Sequence, residues 1–199
     1  IEPLACVLRG LRVARFEPGM SALVLGSGIS GLLFIKSLAA LGAGRVAATD
    51  INGFRLNVAK RFGADAAIEA KDATPDRLRA ANDGRLFDLV VAAAGAPGVV
   101  EQALRSADRG GTVLLFAPLE PGATATMPCW DIWRDQVAIV STYAGPPADT
   151  ERAIALLREG RIAVDDMITH RLPLAETGKG FRLVAEGKKS IKIIVRPQE

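Results

Sequence analysis

Three glycines, Gly26, Gly28 and Gly31, stand at G-x-G-x-x-G spacing between two apolar segments. The segment before them, residues 22–25, is short and apolar, which predicts a buried β-strand. The segment after them, residues 32–41, is apolar and helix-like. A strand that turns through glycines directly into a helix is the opening of a βαβ unit, and this order sharply limits the folds open to the chain.

Each glycine in this turn has its own physical reason. Gly26 permits the sharp turn out of the strand, Gly28 lets a phosphate approach bare backbone, and Gly31 lets the helix pack closely on the sheet. The helix start at residues 29–31 offers unpaired N–H groups and the positive end of the helix dipole. The turn therefore predicts a site for the pyrophosphate of a dinucleotide.

An acidic residue follows at the distance that a dinucleotide site needs. A second short strand, residues 45–49, ends on Asp50, which lies 19 residues after Gly31. A carboxylate at about 20 residues accepts hydrogen bonds from the hydroxyls of the adenosine ribose. Two other interpretations stay open, namely a tight βα turn without a nucleotide and a methyl-donor site with an adenosine half.

The acid also bears on cofactor choice. Asp50 favours NAD over NADP, because a 2′-phosphate beside a carboxylate would suffer like-charge repulsion. Arg55, five residues further on, is an alternative phosphate ligand, and it is equally consistent with a solvated helix face. We predict NAD as the cofactor.

Strands and helices alternate along the rest of the chain. The predicted strands are residues 22–25, 45–49, 65–70, 87–94, 112–117 and 137–143, and the predicted helices are residues 1–15, 32–41, 52–62, 74–81, 99–107, 149–158 and 175–186. This alternation predicts right-handed βαβ units and an α/β fold with a Rossmann-type, doubly wound, six-stranded parallel sheet. Two extended segments, 167–174 and 190–196, are expected in a separate small unit or in a return to another domain.

Composition narrows the function classes. Hydrophobic residues make up 49% and charged residues 24% of the chain, and the net charge of +3 is scattered. No basic block is interleaved with aromatic residues, which argues against nucleic-acid binding. No apolar run reaches the roughly 18 residues of a membrane span. Neither a signal peptide nor an initiator methionine is present, so the chain is either processed or a piece of something longer.

The remaining reactive and aromatic residues are assigned ordinary roles. Two distant cysteines, Cys6 and Cys129, fit a reducing cytoplasm rather than a disulfide framework, and Cys6 is expected to be a small buried hydrophobe. His170, the single histidine, is expected to form a hydrogen bond at the surface or between domains. Trp130 and Trp133 are expected to pack in the core, the alternative being a substrate or subunit surface that includes Cys129.

Seven segments together resemble the medium-chain dehydrogenase/reductase superfamily, in its zinc-dependent alcohol and polyol dehydrogenase branch. They are EPLACVLRGL at 2–11, PGMSALVLGSGISGLL at 18–33, ATDINGFRL at 48–56, FGADAAI at 62–68, GGTVLLFA at 110–117, ITHRLPL at 168–174 and GKKSIKIIV at 187–195. The resemblance covers essentially the whole chain. It implies a two-domain enzyme whose first domain, a GroES-like barrel with the zinc ligands, would precede Ile1.

The resemblance also implies a domain plan and a set of site residues. Residues 1–17 would be an interdomain helix, 18–145 the NAD-binding domain, and 146–199 the C-terminal helices and a return strand belonging to the catalytic domain. The cofactor-binding residues would be those of the glycine turn, the ribose acid with its neighbours, the turns after the fourth and fifth strands, and one late lysine: Gly26, Ser27, Gly28, Ile29, Ser30, Gly31, Asp50, Ile51, Arg55, Ala94, Gly95, Phe116, Ala117 and Lys192. Glu2 falls where polyol-type members place an acid at the catalytic zinc, although an acid in a first helical turn is also common for helix-dipole reasons.

The implied function is hydride transfer between a nicotinamide cofactor and a small secondary alcohol or polyol, with zinc as a Lewis acid in the whole enzyme. The isolated chain would bind NADH without turning over alcohols. The strand at 137–143 is expected at the open edge of the sheet, where it would pair with its mate in a homodimer or homotetramer. A dinucleotide-sensing module and a zinc-free, quinone-reductase-like relative are the alternatives.

Overall fold

A parallel six-stranded sheet forms the centre of the molecule. The computed structural model describes residues 1–198, and the strand order is β3-β2-β1-β4-β5-β6. The strands are β1 (Ser21–Leu25), β2 (Arg45–Asp50), β3 (Ala66–Glu69), β4 (Phe87–Ala92), β5 (Ala107–Leu115) and β6 (Ala138–Ser141). The predicted α/β, doubly wound parallel sheet is confirmed, and β6 lies at one edge as expected.

Helices cover both faces of this sheet. They are α1 (Glu2–Val13), α2 (Ile29–Ala40), α3 (Gly53–Arg61), α4 (Pro75–Ala80), α5 (Pro97–Ser106), α6 (Cys129–Arg134), α7 (Pro147–Arg158) and α8 (Thr177–Glu186). In β1 the side chains alternate between two cores, with Ala22 and Val24 in one and Leu23 and Leu25 in the other. All five residues of β1 are buried, which is what a central strand covered on both faces requires.

A second, smaller sheet lies near the C-terminus. The parallel strands β7 (Ile168–Pro173) and β8 (Lys192–Arg196) pair with each other, and α8 connects them. These two strands, α8, the turns between them and the short turn of residues 165–167 just before β7 are called the C-terminal unit. An ion pair between Lys36 of α2 and Asp166, at 2.8 Å, is one link from this unit to the large sheet. No helix within residues 1–198 combines the length and the apolarity that crossing a membrane would require.

Two expectations about individual segments were wrong. The fifth strand begins at Ala107 rather than at 112, because its pairing with β4 starts at Phe87 and then skips residues 108–111 before resuming. Gly110, with φ of +72°, lies in this irregular stretch. The strand predicted at 137–143 pairs only over Ala138–Ser141.

The tryptophans do not pack in the core. Trp130 and Trp133 lie on α6 with 67% and 71% of their surface exposed, and their ring centroids are 5.2 Å apart. Ile132, which lies between them, packs against the core. The two tryptophans lie on the other faces of this short helix and are exposed to solvent. Cys129 is exposed as well. The expectation of core packing was therefore wrong.

Replacing Gly31 by alanine is expected to destabilise the fold. A Cβ at this position would overlap the carbonyl oxygen of Gly26, so the strand–turn–helix connection would have to open. We expect Gly31→Ala to lower the free energy of unfolding by about 1–3 kcal/mol, as overpacking does, in urea denaturation followed by circular dichroism. Gly53→Ala, whose added Cβ meets nothing within 4 Å, is the control and should not destabilise. Equal stability of the two variants would contradict the close approach.

Candidate functional site

The candidate site lies at the carboxyl ends of the central strands. The strand order places β1 between β2 and β4, so the helices that follow β1 and β4 leave the sheet on opposite faces and open a crevice. Four connections border this crevice: residues 26–28 after β1, 51–52 after β2, 93–96 after β4 and 116–119 after β5. Ligands of open α/β sheets bind at such a switch point.

The three glycines of the turn are needed for different reasons. Gly26 has φ of +97°, and a Cβ there would come within 2.8 Å of the Cβ of Ala94. Gly31 packs against the carbonyl group of Gly26. Gly28 has an ordinary φ of −70°, and a Cβ there would meet nothing within 4 Å. Neither the backbone nor the packing of this chain requires glycine at position 28, so the open space beside it is suited to a ligand.

The start of α2 is free to meet an anion. Its N-cap, Gly28, supplies no side-chain hydrogen bond, and the first turn, which includes Ile29 and Ser30, contains no acid. The N–H groups of a first helical turn lack intrahelical partners, and the helix dipole places positive charge at this end. The geometry matches that of phosphate-binding helix starts.

Asp50 is held in place beside this turn. The residue ends β2 and is only 6% exposed. Its Oδ2 accepts a hydrogen bond from the N–H of Ser27 at 2.7 Å, and its Oδ1 accepts one from the N–H of Asn52 at 2.8 Å. Each carboxylate oxygen has a second lone pair, so the group retains acceptor capacity toward the crevice.

Ile51 is the next residue and is 91% exposed. A large aliphatic side chain left almost fully in water, directly after a buried carboxylate, suits a flat apolar ligand surface such as a purine ring. A single exposed apolar side chain is common on protein surfaces, so it is the position of Ile51 directly after Asp50, at the crevice, that makes it a candidate contact.

Arg55 borders a small cavity between the glycine turn and the C-terminal unit. The cavity has a volume of about 230 Å³. Its lining includes the glycine turn on one side, Arg55 on another, and α8 with the start of β8 on the third: Ser27, Gly28, Ile29, Arg55, Val184, Ser190 and Ile191. Two parts of the chain that are far apart in sequence thus line one cavity, whose volume suits a group such as a phosphate or a ribose.

The turns after β4 and β5 pack against the glycine turn, against each other and against α2. Ala94 packs on Gly26, and Gly95 packs against the carbonyl oxygen of Pro118. The ring of Phe116 lies edge-to-face on Phe34 of α2, with centroids 4.8 Å apart. Ala94 and Gly95 lie in the turn after β4, and Phe116 and Ala117 lie in the turn after β5, at the carboxyl end of the sheet.

Lys192 and Glu2 lie on a different cavity. This cleft, of about 400 Å³, is mostly apolar and includes Ile29, Leu33 and Met167 in its lining. Ile29 borders both cavities, so Lys192 lies near the start of α2 without lining the cavity beside Gly28. Gly28 and Arg55 therefore line one cavity and Lys192 lines another. Asp50 is joined to the glycine turn by its hydrogen bond with Ser27.

Glu2 is paired with Cys6 one turn further along α1. The thiol donates a hydrogen bond to the Glu2 carboxylate over 3.0 Å, and Cys6 is half-buried rather than fully buried as expected. Burial, the hydrogen bond to Glu2 and the charge of Glu2 raise the pKa of the Cys6 thiol to about 11. Within residues 1–198 no three His, Cys, Asp or Glu side chains form a group that could hold a metal. The described residues alone do not fit a zinc ion, whose ligands would have to come partly from elsewhere.

Two further residues complete the comparison with the sequence. His170 lies in β7, where its Nδ1 is 3.0 Å from Thr169 Oγ1 and away from the crevice. Asn52 was not singled out from the sequence. Its backbone N–H donates a hydrogen bond to Asp50, and its side-chain amide donates one to the carbonyl oxygen of Gly187 in the C-terminal unit. The sequence pattern placed residue 52 inside the predicted helix, although asparagine at a helix start is a common N-cap and could have identified this role. Its distant partners have no signal in the local sequence.

A family model, a curated relative and solved structures that resemble this chain are all dehydrogenases. The family model described as zinc-binding dehydrogenase matches residues 30–159. D-arabinitol dehydrogenase 1 of Uromyces fabae is 30% identical over 201 residues, covering 99% of this chain and 57% of that protein. An alcohol dehydrogenase from Thermus sp. ATN1 superposes with a TM-score of 0.90 at 27% identity, over 98% of this chain and 56% of the other. A proposed zinc-binding dehydrogenase from Sinorhizobium meliloti 1021, solved bound to NADP, gives 0.88 at 28% identity, over 98% and 58%.

The raised pKa of Cys6 predicts slow thiol chemistry. With a pKa of about 11, roughly one thiol in a thousand is ionised at pH 8, and the thiolate is the reactive form. We expect iodoacetamide to alkylate Cys129 well before Cys6, as followed by peptide mass spectrometry. Glu2→Gln should speed alkylation of Cys6 several-fold, because it removes a negative charge that raises this pKa, whereas Glu17→Gln, an exposed control, should not. Equal labelling rates in all three proteins would contradict the Cys6–Glu2 pair.

Proposed function

The chain belongs to the zinc-binding dehydrogenase family, and on this premise we propose that it is the NAD(H)-binding part of a zinc-dependent alcohol or polyol dehydrogenase. The chain spans about half the length of the curated relatives that it matches. The observation that carries the proposal is the open space at Gly28, next to an uncapped helix start and a buried carboxylate.

The proposed cofactor pose follows from these groups. The pyrophosphate would lie on the backbone of residues 26–31, with the N–H groups at the start of α2 as donors. Asp50 would accept hydrogen bonds from the adenosine ribose, Ile51 would cover the adenine, and Arg55 would lie beside the ribose. The nicotinamide would extend toward the turns after β4 and β5, and Lys192 would approach the pyrophosphate from the side of β8.

NAD rather than NADP is the proposed cofactor. Asp50 is buried beside the expected position of the ribose 2′-hydroxyl, where a phosphate dianion would meet a carboxylate at short range. Arg55, on the other side of the cavity, is a cation that would favour a phosphate. The NADP-bound relative shows that a nicotinamide cofactor occurs in a similar protein, and it does not bear on Asp50.

The proposed reaction is hydride transfer to or from a secondary alcohol or polyol carbon. The nicotinamide supplies the redox chemistry, and the protein supplies binding and orientation. The part played by this chain is to fix the dinucleotide by backbone N–H groups and one carboxylate, so that its nicotinamide projects from the crevice. The names of the relatives, an arabinitol dehydrogenase and an alcohol dehydrogenase, support a small hydroxylated substrate.

Three further elements of the proposal rest on exposed groups. Glu2 would contribute to a metal site completed by residues outside the described chain. The segment 137–143, whose Tyr143 is 90% exposed at the edge of the sheet, would pair with a second copy in a homodimer or homotetramer. A cytoplasmic location is proposed from the two unpaired cysteines.

Gly28→Ala should separate cofactor binding from folding. The added methyl group meets no atom of the chain, so the free energy of unfolding should change by less than about 1 kcal/mol. The same methyl group would occupy the space proposed for the pyrophosphate, so the Kd for NADH should rise roughly tenfold or more in calorimetric titration. Gly98→Ala, another open position, is the control for NADH affinity. Unchanged NADH binding by Gly28→Ala, or no binding by the parent chain, would contradict the proposed site.

The cofactor preference is tested by titrating NADH and NADPH against the same protein. We expect tighter binding of NADH, because Asp50 accepts ribose hydroxyls and repels a 2′-phosphate. Asp50→Gly should weaken NADH binding by about 1–3 kcal/mol, the scale of hydrogen bonds to a charged group, and should affect NADPH less. Tighter binding of NADPH by the parent chain would overturn the assignment of NAD.

A further inference from the structure

Asn52 uses all of its polar groups to join three parts of the site. Its backbone N–H donates to Asp50 Oδ1 over 2.8 Å. Its side-chain Oδ1 accepts hydrogen bonds from the N–H groups of Phe54 at 2.9 Å and Arg55 at 3.4 Å, which caps α3. Its Nδ2 donates to the carbonyl oxygens of Gly187 and Lys188, both at 3.1 Å. A single residue therefore forms hydrogen bonds with the Asp50 carboxylate, with the start of α3 and with the C-terminal unit.

The orientation of the amide is determined by its partners. The two groups facing Oδ1 are backbone donors, and the two groups facing Nδ2 are backbone acceptors. Rotating the amide by half a turn would set oxygen against two oxygens and NH₂ against two N–H groups. The contact with the C-terminal unit is thus a directed hydrogen-bonded link.

The turn that Asn52 holds carries one wall of the cavity beside Gly28. Residues 187–190 form a turn between α8 and β8. Ser190 in this turn, Val184 before it and Ile191 after it line the same cavity as Gly28 and Arg55. A Cβ on Gly187 would lie 3.2 Å from a guanidinium nitrogen of Arg55, so the turn and this arginine pack together. If the turn moved away, the cavity would lose its third side, and Arg55 would lose its contact with Gly187.

We propose that Asn52 is a positioning residue of the dinucleotide site, which fastens the 187–190 turn over the ribose and pyrophosphate. This inference rests on the proposed function for the identity of the ligand. The link consists of the chain's own side-chain and backbone groups and uses no ligand atom, so it would hold the third wall of the cavity in place for binding. A preformed wall lowers the ordering cost of binding, which is how preorganisation raises affinity.

Asn52→Ser tests the link with the helix cap retained. Serine is an N-cap as good as asparagine, but its side chain is too short to reach the carbonyl groups of the turn. We expect unchanged thermal unfolding, faster hydrogen exchange of amides 187–191 in the ligand-free protein, and a roughly tenfold higher Kd for NADH and for ADP-ribose. Equal losses for both ligands would place the effect in the ADP-ribose portion, which they share, and not at the nicotinamide.

Two further variants make the result decisive. Asn52→Asp keeps the size and the cap of asparagine but sets a carboxylate against two carbonyl oxygens, so it should increase exchange in the same turn. Thr74→Ala removes the N-cap of α4, away from the crevice, and should leave both exchange at 187–191 and NADH binding unchanged. Exchange and Kd unchanged in Asn52→Ser would overturn the inference. Failure of the parent chain to bind NADH would instead count against the proposed function, while the exchange measurement would still test the link.

Discussion

The hydrogen bond from the N–H of Ser27 to the carboxylate of Asp50 is the contact on which the site depends. It joins the turn after β1 to the end of β2 at 2.7 Å, inside a region that excludes water. A charge-assisted bond of this kind is short and strong, and it fixes two loops that would otherwise move independently. The glycine turn and the Asp50 carboxylate are therefore held in one geometry by the chain's own contacts.

The glycine turn shows how one motif combines structural and ligand-related constraints. Gly26 and Gly31 are required by this chain's own packing, since a side chain at either would collide with Ala94 or with the Gly26 carbonyl group. Gly28 satisfies no such constraint, because its backbone angles are ordinary and its surroundings are empty. The motif predicts a different role for each glycine, and the structure distinguishes the two that packing requires from the one that leaves open space.

The C-terminal unit gives the site a side that the Rossmann fold does not itself contain. Its turn is fastened by Asn52, and its residues close the cavity opposite the helix start. Lys192, which family resemblance assigns to the pyrophosphate, lines the larger cleft together with Glu2, and Ile29 connects that cleft to the start of α2. The two cavities share that isoleucine, so both border the start of α2.

Local signals in the sequence were sufficient for the parallel sheet, the glycine turn and the acid at the end of β2, because each depends on backbone geometry or on spacing within one βαβ unit. The same signals misplaced Trp130 and Trp133, because side-chain burial depends on which elements cover a helix, and α6 lies near the edge of the sheet with only Ile132 directed inward. They also could not reveal the partners of Asn52, which lie 135 and 136 residues away. Contacts between such distant segments arise only when the chain folds, and that is where tertiary structure decided the shape of the site.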